Sequence, residues 1–161
     1  WGNAVKKRKT PSVLILSRQN LPYFERTEEQ IGNISKGGYV LRDAPDAKVI
    51  LIATGSEVEL AMKSADELAK KNIPARVVSM PSSDIFDKQD ALYRNSVLPR
   101  ELPRVAIEAA ASDYWRKYVG LDGDVVGMTT FGESAPAGTL FKHFGFTVEN
   151  VVSKVESVLS K

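Results

Sequence analysis

The residues best suited to chemistry stand together near the start of the chain. The apolar run Val13-Leu14-Ile15-Leu16 breaks abruptly into Ser17-Arg18-Gln19-Asn20-Leu21. Four consecutive apolar residues read as a strand buried on both faces, as in a parallel sheet. In such sheets ligands gather at the carboxyl ends of the strands. Arg18, among short polar side chains at that point, offers a rigid fork of donors suited to a phosphate or carboxylate. It is equally suited to pairing with a structural carboxylate. Other polar positions offer less. Ser56 and Glu59, after the second apolar run, have capping-box spacing, and Glu57 and Glu59 would repel an anion from that helix start. The loop carries neither glycine pattern of the nucleotide fingerprints. His143, the single histidine, has no neighbouring carboxylate and is a poor metal or triad candidate. Asp113 reads as a helix cap ahead of Tyr114, Trp115 and Tyr118, which read as packing residues. No paired carboxylate, nucleophile–base pair or metal cluster is expected.

Composition narrows the class. The 161 residues are 43% hydrophobic and 26% charged, as in a soluble globular protein with room for one domain and part of another. The formal charge is +2, but Lys6, Lys7, Arg8 and Lys9 supply four positive charges, leaving −2 for the rest. That basic cluster lacks interleaved aromatics and reads as a solvated chain end, so no nucleic-acid partner is expected. There is no cysteine, hence no disulfide framework, thiolate metal site or cysteine nucleophile, which fits a reducing, cytoplasmic setting. No apolar run approaches the ~18 residues of a membrane span. The first residue is Trp1, so a targeting signal or a whole domain can lie upstream.

The elements that would position these groups alternate strand and helix. Residues 1–21 read as the end of one domain, 22–38 as a linker without clear periodicity, and 39–161 as a second domain. Strands are expected at 39–42, 49–53, 75–80, 104–109 and 124–128. The Val58, Ala61, Met62, Ala65 and Leu68 spacing gives an amphipathic helix, and Ser83 or Asp84 caps a short one. Pro136 suits a first helical turn, Gly145 a helix end, and Thr147 caps a final helix with the face Val151, Val152, Val155 and Val158. The class is α/β, a three-layer α/β/α domain with a mostly parallel or mixed sheet.

The motifs in order are Ser17-Arg18-Gln19-Asn20-Leu21, Gly37-Gly38-Tyr39-Val40, Ile52-Ala53-Thr54-Gly55-Ser56-Glu57-Val58 and Val77-Val78-Ser79-Met80-Pro81. Phe86-Asp87-Lys88-Gln89, Asp113-Tyr114-Trp115 and Met128-Thr129-Thr130-Phe131-Gly132-Glu133-Ser134-Ala135-Pro136 follow. This series resembles the carboxyl-terminal part of a transketolase from about Pro11 onward. The resemblance implies an enzyme of the pentose phosphate pathway that moves a two-carbon ketol unit from a ketose phosphate to an aldose phosphate. It further implies thiamine diphosphate, a divalent cation (Mg or Ca) and a homodimer of three-domain subunits, with the cofactor between the first domain of one subunit and the middle domain of the other. The family's sugar-phosphate arginine in the Ser-Arg-Gln motif matches Arg18. Its cofactor ligands, metal ligands and catalytic histidines match nothing here, His143 included. The fragment alone is therefore expected to be inactive and to bind no cofactor. The rivals are a related thiamine-dependent synthase or dehydrogenase component, and a non-catalytic regulatory or subunit-interaction module.

Overall fold

A computed structural model describes residues 2–161. Its centre is a five-stranded sheet of β1 (Tyr39–Arg42), β2 (Val49–Ala53), β3 (Ala75–Ser79), β4 (Arg104–Ala111) and β5 (Asp124–Met128), in the order β1-β3-β2-β4-β5. β3, β2, β4 and β5 run parallel, and β1 closes one edge antiparallel to β3. The sheet is thus mixed. β2 is apolar throughout, and β3, β4 and β5 are apolar at their centres, because helices cover both faces. All five residues of β2 are buried.

One face is covered by α3 (Glu57–Lys70) and α8 (Val148–Leu159). Ala61, Ala65 and Leu68 of α3 meet Val151 and Val155 of α8 over Leu51, Val77 and Ile107. Thr147 caps α8 by accepting the Asn150 amide, as its spacing predicts. The opposite face carries α4 (Ser83–Phe86), α5 (Ala91–Val97), a 3-10 turn (Ser112–Trp115) and α6 (Arg116–Val119). There Phe86, Trp115 and Tyr118 pack on Ile50, Ile52, Val78 and Ala106. α7 (Ala137–His143) lies between β5 and α8, and Gly145 follows it at φ 79°.

Several expectations are corrected. Residues 13–16 form no strand and are exposed, because this chain holds no sheet beside them whose backbone groups could pair with theirs. The described residues open on a short helix, α1 (Gly2–Lys6), and the linker is not structureless: it contains α2 (Glu28–Ile34). Thr27 and Gln30 close a capping box there, Thr27 Oγ1 accepting the Gln30 amide and Gln30 Oε1 accepting the Thr27 amide. Gln30 Nε2 also donates to the carbonyls of Val40 and Leu41 at 3.0 and 2.8 Å, pinning α2 to β1. Ser56 makes no cap bond to the backbone; its hydroxyl turns to Glu57 Oε1 at 2.9 Å, and Glu59 pairs with Lys63. Neither Ser83 nor Asp84 caps α4, whereas Asp90 caps α5 by accepting the Tyr93 amide. Asp113 lies inside the 3-10 turn and caps nothing.

Gly37, in the turn into β1, holds φ 88°, and a Cβ there would lie 2.3 Å from the Ser82 carbonyl oxygen. Only glycine fits both the backbone angle and the approach of α4.

Candidate functional site

The candidate site is the carboxyl end of the sheet, where β2 and β4 lie side by side. From β2 the chain crosses through α3 to β3 on one side, and from β4 it continues to β5 on the other. Adjacent parallel strands whose connections diverge leave a crevice outside their carboxyl ends. Ile107 pairs with Ala53 in register, so Glu108 and the Thr54–Glu57 turn flank that crevice.

Two carboxyls meet there. Glu57, the first residue of α3, is only 4% exposed, and burial raises its carboxyl above the ordinary value. Glu108 is half-buried, and its Oε2 is buried without a hydrogen-bond partner. Burial first, and the neighbouring Glu57 charge second, push the Glu108 carboxyl up to about 8. Two like charges in one desolvated crevice favour holding a proton. Sequence reasoning missed this pair and expected none. Glu57 and Glu108 are 51 positions apart, and only the β2–β4 pairing brings their elements together. The available signal was a glutamate closing the apolar stretch of β4, where an unpaired charge is costly.

The Ser17–Leu21 segment approaches the same end of the sheet. A Cβ placed on Gly55 would lie 4.0 Å from Ser17 Oγ. A cleft of about 250 Å³ separates the linker from the strand ends, lined by Leu21, Phe24, Gly55, Ser56, Ser79 and Pro81 among others. Arg18 itself is exposed and, among the described residues, makes no hydrogen bond or ion pair. Its fork is thus open to an anion. Pairing with a structural carboxylate, the alternative for Arg18, does not occur within the described residues.

The other sequence candidates stand apart. His143 ends α7 exposed, with its ring edge-on to Phe144 at 4.8 Å, and joins no acid–base group. Tyr114, Trp115 and Tyr118 form an aromatic cluster with centroid separations of 5.6 to 6.3 Å, a packing role. The loop at 129–136 is wholly exposed, with Phe131 bare to solvent. No helix among the described residues is long and apolar enough to cross a membrane.

Comparison with known proteins agrees with this geometry. Residues 37–147 match the family model described as "Transketolase-like TK C-terminal domain". Transketolase 1 of Escherichia coli (strain K12) is 60% identical over 161 residues, covering 99% of this chain and 24% of that protein. Transketolase from Leishmania mexicana superposes with a TM-score of 0.73 at 44% identity, over 80% of this chain and 19% of that one. A Pichia stipitis transketolase in complex with sedoheptulose-7-phosphate gives a TM-score of 0.79 at 40% identity, over 88% and 20%. The chain spans about a quarter of the length of the curated relatives it matches. With its five-stranded mixed sheet, two helical layers and 60% identity along nearly its whole length, the chain belongs to the transketolase family, in the part that carries the carboxyl-terminal domain.

Proposed function

We propose that this chain is part of a cytoplasmic, homodimeric transketolase that transfers a two-carbon ketol unit from a ketose phosphate to an aldose phosphate. Residues 1–21 are then the end of the middle domain, 22–38 the linker and 39–161 the third domain. The observation that carries the proposal is the 60% identity along 99% of the chain. The sugar-phosphate complex of the Pichia stipitis relative supports the substrate class.

Arg18 is the residue that acts on substrate. Its guanidinium, unpaired among the described residues, is free to make two parallel N–H···O bonds to a sugar phosphate. Such a contact orients the far end of the sugar and contributes binding energy without taking part in bond making.

Thiamine diphosphate, held through a divalent cation, supplies the carbanion chemistry in such an enzyme. The residues present do not fit that group. Among the described residues no three His, Cys, Asp or Glu side chains stand where they could hold a metal ion. The Glu57–Glu108 pair supplies only two carboxyls, and burial raises both above their ordinary values, which disfavours the charged form a cation ligand needs. Cofactor binding is therefore assigned to other parts of the parent.

Ketol transfer by the full-length parent, loaded with thiamine diphosphate and Mg²⁺, tests the proposal. Transfer between phosphorylated sugars is expected, and its absence overturns the reading. The 161-residue chain alone is expected to show neither transfer nor tight, stoichiometric cofactor binding in a calorimetric titration.

A further inference from the structure

A groove of about 800 Å³ lies away from the carboxyl end of the sheet, at the amino end of β4. That volume is within the range of pockets that hold a small organic ligand. Four cationic side chains line it: Arg94 from α5, Arg100 from the α5–β4 connection, Arg104 at the start of β4 and Lys117 from α6. The one acidic lining residue, Asp87, is already committed. It accepts from Lys117 Nζ and from the Tyr118 hydroxyl, both at 2.8 Å. Although burial opposes it, those bonds hold the Asp87 carboxyl below its ordinary value, so it stays charged with Lys117.

The three arginines make no ion pair with Asp87, Arg94 acting on it only at longer range. Among the described residues none of them makes an ion pair with a carboxylate; Glu101 acts on Arg104 only at longer range. Arg104 is half-buried and donates to the carbonyls of Tyr118, Leu98 and Pro99 at 2.7, 3.0 and 2.9 Å, while its Nε is buried with no partner. Carbonyls satisfy donors without cancelling charge, so Arg104 carries a partly desolvated positive charge in no direct ion pair, offset only at longer range by Glu101. Arg100 lies close enough to disfavour that charge further. In a chain that is net negative beyond its first ten residues, this is a local positive excess facing a concavity. The groove also has apolar lining, from Phe86, Ala91, Leu92 and Leu98. Leu92 is 83% exposed at its rim.

We infer that this groove binds a multiply charged organic phosphate with a flat or apolar body, of the nucleoside polyphosphate class. The phosphates meet Arg94, Arg100 and the fixed charge of Arg104, and the body lies on the apolar lining. This site is separate from Arg18 and does not rest on the ketol-transfer reading.

The test is calorimetric titration of the 161-residue chain with ATP, inorganic tripolyphosphate and adenosine at about 50 mM salt, repeated on the full-length parent. Saturable 1:1 binding of ATP is expected in both, weaker binding of tripolyphosphate and none of adenosine. Arg94→Glu and Arg100→Glu, both exposed positions that leave the Arg104 bonds intact, are expected to weaken ATP at least tenfold each. Lys7→Glu, the same charge change outside the groove, is expected to leave it within twofold. Absence of ATP binding up to millimolar concentration overturns the site. So does an equal loss with Lys7→Glu, which marks unspecific attraction. Tripolyphosphate binding as tight as ATP overturns the role of the apolar lining, and loss of binding in the parent overturns the site as a property of the whole protein.

Discussion

Two apolar runs of the chain, the four residues Val13–Leu16 and the first four of β2, have nearly the same composition and opposite fates. Val49, Ile50, Leu51 and Ile52 are each 0% exposed at the centre of the sheet. Val13, Leu14, Ile15 and Leu16 are 85, 42, 93 and 73% exposed and pair with nothing. The difference is not in the residues. The second run has β3 and β4 on its two edges and helices on both faces; the first has none of these. A buried strand is a property of its neighbours as much as of its own side chains. Each run also ends in a polar turn, but one presents an exposed arginine and the other a buried glutamate.

The largest expected effect separates the runs directly. Leu51→Ala removes a fully buried side chain and should cost about 2–5 kcal/mol in denaturant unfolding of the 161-residue chain. Ile15→Ala in the same chain should change stability by less than about 0.5 kcal/mol. If both runs are buried in the parent, Ile15→Ala should become costly there, on the order of 2 kcal/mol or more. Equal, small effects of Ile15→Ala in chain and parent would mean that the first run has no sheet in either.

The turn after the second run should titrate. With Glu108 at about 8 in the folded chain and near 4.5 unfolded, the folded state binds more protons between those values. Stability therefore falls as pH rises through that window. Glu108→Gln should abolish most of the fall and stabilise the chain at pH 8 by on the order of 1–3 kcal/mol, discounted for the part of the side chain that remains solvated. Thermal midpoints of both proteins from pH 5 to 8 would check it; a constant difference between them would remove the carboxyl pair from the account.

A smaller effect is expected where the two regions are joined. Thr27→Ala should cost about 1 kcal/mol by opening the capping box of α2. Hydrogen exchange should show the loss confined to α2 and β1. A loss spread over the whole sheet would mean that the linker is part of the core.

Much of the fold is legible from residue order. The apolar runs of β2, β3 and β4, the face of α8 and the Thr147 cap all follow from short-range pattern. α2 was legible too, through Thr27-x-x-Gln30, but charge and glycine around it read as linker. What stays hidden is what depends on lateral neighbours: the β1-β3-β2-β4-β5 order, the meeting of Glu57 with Glu108, and the convergence of Arg94, Arg100 and Arg104. Local pattern likewise makes residues 13–16 a strand, since nothing within them reports whether the chain supplies a sheet to receive it. At Arg18 the chemistry of the side chain is readable from its type and position, and the structure adds that no carboxylate among the described residues pairs with it.

The most direct test of the account is ketol-transfer kinetics of the full-length parent carrying Arg18→Ala. Losing a charge-assisted hydrogen bond costs about 1.5 to 3 kcal/mol, so KM for phosphorylated sugars should rise roughly 10- to 150-fold, with thiamine diphosphate affinity unchanged. Unchanged KM would contradict the phosphate role of Arg18 and leave the first apolar run ending in an arginine without a function.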